Sequence, residues 1–150
     1  MRSKAYLALF GICCLPAFAQ LDSSTLRAKL GQPLNQEIFH MPAGFNLIVD
    51  YGTGTTRVCK LEVPAVMPRD PAAKVSTIPE QRQRMYDFLA DLVPASERGQ
   101  GGGTMYFQSG LTSMMTTEYE NVTVSEIQND NQPESGTITI RFKNAGCQTP

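Results

Sequence analysis

Strict alternation of apolar and polar residues is the feature that most limits what this chain can become. It is cleanest over Thr137–Lys143. There Ile138, Ile140 and Phe142 fall on one side, with Thr137, Thr139, Arg141 and Lys143 on the other. A period of two belongs to a strand with one face covered and one face in water. Phe45–Tyr51 repeats the pattern, setting Phe45, Leu47, Val49 and Tyr51 against Asn46, Ile48 and Asp50. Arg57–Val63 repeats it again, with Cys59, Leu61 and Val63 alternating with Lys60 and Glu62. Turn-forming residues separate these runs, Pro42-Ala43-Gly44 and Gly52-Thr53-Gly54. Strands joined by short turns pair antiparallel, and a half-solvated sheet needs a cover on its apolar face.

One segment has the period of a covering helix. Thr77-Ile78-Pro79-Glu80 reads as a capping box with proline in the first turn. Met85, Phe88, Leu89 and Leu92 then form one apolar stripe, and Pro94 ends the helix predicted over Pro79–Val93. A shorter helix is predicted over Gln20–Gly31. Asp22, Ser23 or Ser24 would cap it, Leu26 and Leu30 share a face, and Gly31 stops it. It is too short to stand alone in water and must dock. Weaker strands are predicted over Glu37–Met41, Met105–Gln108 and Tyr119–Ile127. In the last of these Tyr119 and Ile127 fall out of phase with Val122 and Val124, which a bulge would reconcile. Pro64–Pro79 reads as a connector, Gly99–Gly103 as a flexible joint and Asn129–Gly136 as a polar turn, and Ser109–Thr117 has no assignable pattern. The order α-β-β-β-α-β-β-β predicts an α+β fold. It would have a single antiparallel sheet of about five to six strands, a short N-terminal helix and one amphipathic helix packed on one face.

The N-terminus carries a different pattern. Arg2 and Lys4 precede an apolar run from Tyr6 to Leu15, and Pro16 leads into Ala17-Phe18-Ala19. This is the layout of a signal peptide over residues 1–19, cleaved between Ala19 and Gln20. Residues 20–150 would then form a single α+β domain, secreted or periplasmic, with no transmembrane segment in the mature chain. Cleavage removes two of the thirteen basic residues and none of the fourteen acidic ones, so the net charge moves from −1 to −3. That mild acidity leaves no electrostatic footprint for nucleic acid. Cleavage also removes Cys13 and Cys14, neither of which follows the small residue a lipid anchor needs. Cys59 and Cys147 remain. In an oxidising compartment a pair predicts a disulfide, with two buried free thiols as the alternative.

Candidate chemistry is sparse. Gly99-Gln100-Gly101-Gly102-Gly103 follows a helix and lacks the Lys-Ser/Thr ending of a phosphate-binding loop. His40 is the sole histidine, so any Ser or Cys triad would have to pass through it. Asp50 ends a strand beside Tyr51, and Glu118 and Glu120 flank Tyr119; paired carboxylates across a cleft would suit glycoside hydrolysis. No histidine spacing or Asp-rich loop accompanies them, so neither a metal nor a cofactor is expected. Asn121-Val122-Thr123 matches a glycosylation acceptor, and a Val-Thr-Val strand accounts for it equally.

Gly31-Gln32-Pro33-Leu34-Asn35, Val49-Asp50-Tyr51-Gly52, Val58-Cys59-Lys60-Leu61 and Thr117-Glu118-Tyr119-Glu120-Asn121-Val122-Thr123 resemble segments of a group of small uncharacterised exported bacterial proteins. The group often has a further cysteine near Gly110-Leu111, where this chain has Leu111. The resemblance implies export and transfers no activity. The function expected is therefore an exported non-catalytic binding or structural protein of the cell envelope, with an unknown partner. One alternative is a small carboxylate-dependent hydrolase using Asp50, Glu118 or Glu120. The other is a partner-binding or inhibitor protein acting through the loop 99–117, where glycines, methionines and Tyr106-Phe107 would adapt to a partner.

Overall fold

A computed structural model of the chain describes residues 35–52, 56–69, 77–143 and Cys147. The predicted signal segment 1–19, its cleavage site at Ala19 and Gln20, and the helix predicted over 20–31 lie outside the described residues. The described strands are β1 (Asn35–His40), β2 (Asn46–Tyr51), β3 (Val58–Pro64), β4 (Gly101–Ser109), β5 (Thr112–Tyr119), β6 (Val122–Asn129) and β7 (Gln132–Phe142). They form one sheet in the order β1-β2-β3-β7-β6-β5-β4, with every neighbouring pair antiparallel. Two short helices, α1 (Ile78–Leu92) and α2 (Ala95–Arg98), lie between β3 and β4.

This corrects the expected five-to-six-strand sheet covered on one face by a helix. The described residues form seven strands, and among those residues strand outweighs helix by 55% to 20%. The glycine joint and the unassigned stretch are a hairpin, β4–β5, closed by the two-residue loop Gly110-Leu111. Gly110 has φ +58°, the conformation a type II′ loop needs at its first position. Every residue of β4 is exposed, so no burial pattern was there to read. The polar turn shrinks to Asp130-Asn131, because β6 runs to Asn129 and β7 begins at Gln132. No bulged strand spans 119–127. Tyr119 ends β5 and Val122 begins β6, so the phase slip is a chain reversal at Glu120-Asn121.

The sheet is two meanders joined by a long crossover. From β3 the chain must pass three strands to reach β4, a lateral distance of about 19 Å at the usual strand spacing. The 15 residues of α1, about 22 Å, run along the strands: its first turn lies by Phe45, Pro64 and Glu134 and its last by Tyr51, Val58 and Phe142, at opposite ends of β2, β3 and β7. Thr77 caps α1 by the predicted box: its side chain accepts from the Glu80 amide, and the Glu80 carboxylate accepts from the Thr77 amide. Met85, Leu89 and Val93 pack into a core with Leu47, Val49, Leu61, Val63, Val122, Ile138 and Ile140. The predicted connector contributes too, through the buried Ala65, Val66 and Met67. This core includes no residue of β4. Tyr106 and Met115 point to the same side as α1 but remain 65% and 36% exposed. A disulfide joins Cys59 on β3 to Cys147, which follows the central strand β7, with a Cα–Cα distance of 5.1 Å.

Candidate functional site

Two of the predicted carboxylates, Asp50 and Glu118, lie on the face of the sheet away from α1. Antiparallel register sets Gln36, Asp50, Lys60, Arg141, Thr123 and Glu118 in one row across six strands. Residues directly opposite share a face, so these side chains form a polar ladder. Lys60 Nζ lies 2.8 Å from Asp50 Oδ2, and Gln36 Nε2 donates to Asp50 Oδ1 at 2.7 Å. Burial pushes the Asp50 carboxyl up, but the bonds from Lys60 and Gln36 and the charges of Lys60 and Arg141 outweigh it. Asp50 is held below the usual carboxylate range. At the far end Lys143 Nζ sits 2.6 Å from Glu118 Oε2 and Thr123 donates to the same oxygen, which lowers the Glu118 pKa.

The row also separates the two acids. Asp50 on β2 and Glu118 on β5 are four strand steps apart, about 19 Å. Carboxylate pairs that cleave glycosides stand about 5–10 Å apart. Glu120 is not on the strand: it lies in the β5–β6 turn, where its carboxylate accepts from the Gln100 amide. His40 ends β1 with Nδ1 2.7 Å from Asn46 Oδ1. Asn46 is four residues along β2 from Asp50, about 13 Å of strand. The four candidates are therefore dispersed, each in its own local contact. Among the described residues no group of three or more His, Cys, Asp or Glu could hold a metal ion. No described helix is long and apolar enough to cross a membrane.

A carboxylate the sequence reading passed over is the most enclosed acid among the described residues. Glu126 on β6 is 2% exposed, on the face beneath α1. Tyr86 donates its hydroxyl to the Glu126 carboxylate, and Gln128 donates its side-chain amide. Arg82 supplies the counter-charge with Nε 3.4 Å from Glu126 Oε1, and its Nη2 donates to Gln128 at 2.7 Å. Burial and the bond to Glu126 both raise the Tyr86 pKa. A cavity of about 90 Å³ adjoins this cluster, between Tyr86, Arg98, Thr117 and Glu126. A second, apolar cleft of about 600 Å³ lies between β1–β3 and the end of α1, lined by Phe39, Leu47, Tyr51, Leu92 and Phe142. The sequence clue to Glu126 was its phase: it shares parity with Val122 and Val124, whereas Ile127 faces water at 47% exposure.

The last feature is the β4–β5 hairpin. β4 is an edge strand of nine residues, Gly-Gly-Gly-Thr-Met-Tyr-Phe-Gln-Ser, with no charged residue and no proline. Met105, Tyr106 and Phe107 are 60–65% exposed. The register places Phe107, Met114 and Ile127 in one row on the open face, with Met105 beside them. All four are exposed. The other edge, β1, is shorter and carries Glu37, which accepts from the Tyr51 hydroxyl. Comparison with protein-family models, with curated proteins and with solved structures finds no match to this chain.

Proposed function

We propose that this is an exported binding protein, and that it works by adding a strand of a polypeptide partner to β4. The observation that carries this reading is the undefended edge. Sheet edges offer a row of unpaired backbone donors and acceptors, and folded proteins blunt them with charge, proline or short length. β4 has none of these along its regular stretch and adds three large exposed apolar side chains. Strand addition draws affinity from backbone bonds and selectivity from alternate side chains. On β4 those would be Met105 and Phe107 on one face and Tyr106 on the other. The residues 1–19 support export, and Cys59–Cys147 suits an oxidising compartment.

A photoreactive residue at Tyr106, in protein expressed in its native cells, tests the reading. A discrete crosslinked polypeptide is expected, absent when the photoreactive group sits at the exposed Asp91 of α1 and lost when Phe107 is changed to Lys. Indistinguishable crosslinks at the two positions would remove the case for β4. N-terminal sequencing of the exported chain should begin at Gln20, and an uncleaved N-terminus would refute the export part.

A further inference from the structure

We propose that the strand β4 receives is β4 of a second copy of this chain, paired antiparallel about a two-fold axis at Tyr106. The inference rests on the strand-addition reading and names its occupant.

Backbone geometry selects the register. A two-residue hairpin loop closes on a hydrogen-bonded pair, here Ser109 and Thr112. Alternation along the ladder then turns the backbone groups of Ser109, Phe107 and Met105 towards β5, and those of Gln108, Tyr106 and Thr104 outward. The irregularity between Gly101 and Gly103 ends the regular stretch there. The uninterrupted edge is therefore 103–109, and its midpoint is Tyr106. A two-fold axis at that residue pairs Tyr106 with its own copy and Thr104 with Gln108. Each pair exchanges two backbone bonds.

The side chains complement themselves in that register. Met105 falls opposite Phe107 of the second copy, twice over, a thioether against a ring edge. Both contacts lie on the open face, where they join the exposed Met114 and Ile127 into one apolar strip. The two Tyr106 rings meet on the opposite face. Because β4 has no charge, the two-fold axis brings no like charges together, whereas a self-paired β1 would bring its Glu37 carboxylates close. Such a contact is closed and isologous, so it ends at two copies.

Area sets the strength. An aromatic side chain buries about 150–250 Å². At 60–65% exposure, Met105, Tyr106 and Phe107 each leave roughly 100–150 Å² to cover. Over two copies these side chains supply roughly 600–900 Å², and with the backbone edges the contact falls in the small class below about 1,200 Å², where weak, reversible complexes lie. A dimer with a dissociation constant on the order of micromolar is expected.

Sedimentation velocity of the oxidised mature protein from about 1 to 200 μM tests this, together with two cysteine variants. A concentration-dependent dimer is expected, and Phe107→Lys should raise its dissociation constant at least tenfold. Tyr106→Cys should crosslink to its own copy under mild oxidation, since directly opposed Cα atoms stand about 5.5 Å apart. Met105→Cys is displaced two residues from its copy and should crosslink at least tenfold more slowly. Faster crosslinking at Met105 than at Tyr106 overturns the pairing. A monomer throughout the range also overturns it. In that case a discrete crosslink from Tyr106 to a different polypeptide leaves strand addition standing, and its absence removes both.

Discussion

Replacing Tyr86 with Phe removes one oxygen from the interior and tests why α1 lies where it does. The ring itself packs against the core, so the substitution leaves that packing in place. What it deletes is the hydroxyl donor to Glu126, a carboxylate only 2% exposed. A hydrogen bond to a charged group is worth about 1.5–3 kcal/mol, and a buried acceptor left short of donors keeps its desolvation cost. Arg82 and Gln128 still contact Glu126, which places the loss near the middle of that range, about 2 kcal/mol. For a domain of this size that corresponds to a fall in Tm of roughly 7 °C. Chemical denaturation at pH 7 measures it directly. The double variant Tyr86→Phe/Glu126→Leu should show a coupling of about 1–3 kcal/mol, because the two residues share one bond. The alkaline limb gives a second readout. The folded-state pKa of Tyr86 is raised above 10.0, so its contribution is fully present below about pH 10. It is lost as pH rises further, by about 1.4 kcal/mol per unit, because the unfolded hydroxyl ionises first. Tyr86→Phe should remove that limb. Additive single effects, or a loss under about 0.5 kcal/mol, would refute the view that Glu126 pins the helix to the sheet.

Other perturbations probe the frame. Cys147→Ser opens a loop spanning 88 residues, and the chain-entropy relation predicts a loss of about 4–5 kcal/mol in denaturant titrations under oxidising conditions, absent after reduction of both proteins. Asp50 has a folded pKa below its unfolded 3.8, so its contribution is present above about pH 3.8 and lost as pH falls through the folded value. Asp50→Asn should therefore cost about 1 kcal/mol or less at pH 7 and flatten the acid limb of the stability profile. Gly136→Ala should destabilise by about 1–3 kcal/mol, because a Cβ there would meet the Ile127 carbonyl oxygen at 2.7 Å and Ala65 Cβ at 2.8 Å.

Some of the fold was legible because one residue's environment repeats along its own element. β2, β3 and β7 each alternate, and α1 carries both a capping box and an apolar stripe. The hairpin was illegible for the converse reason. β4 has no buried side chain, and its neighbours hold it through backbone bonds that glycine, threonine and methionine make equally well. A Gly-rich stretch reads as a joint until a partner strand is known. The site candidates failed differently. Residue type marks Asp50, Glu118, Glu120 and His40 but says nothing of separation, and strand pairing sets Asp50, Glu118 and His40 apart in the sheet while Glu120 falls in a turn. Glu126 was passed over because a buried acid looks like a solvated one until Tyr86 and Arg82 arrive from a helix forty residues away.

By itself, the sequence determined the local structure of the three alternating strands and of α1, since period and capping depend on neighbours a few residues apart. It also narrowed the disulfide to one pair if the first nineteen residues are removed. Tertiary structure alone decided the strand order, the seventh described strand and the edge on β4 that no other described strand pairs. It alone decided which carboxylate is enclosed. Pairing and burial join residues distant in the chain, and a backbone edge free to accept a strand is a property of the assembled sheet rather than of any segment within it.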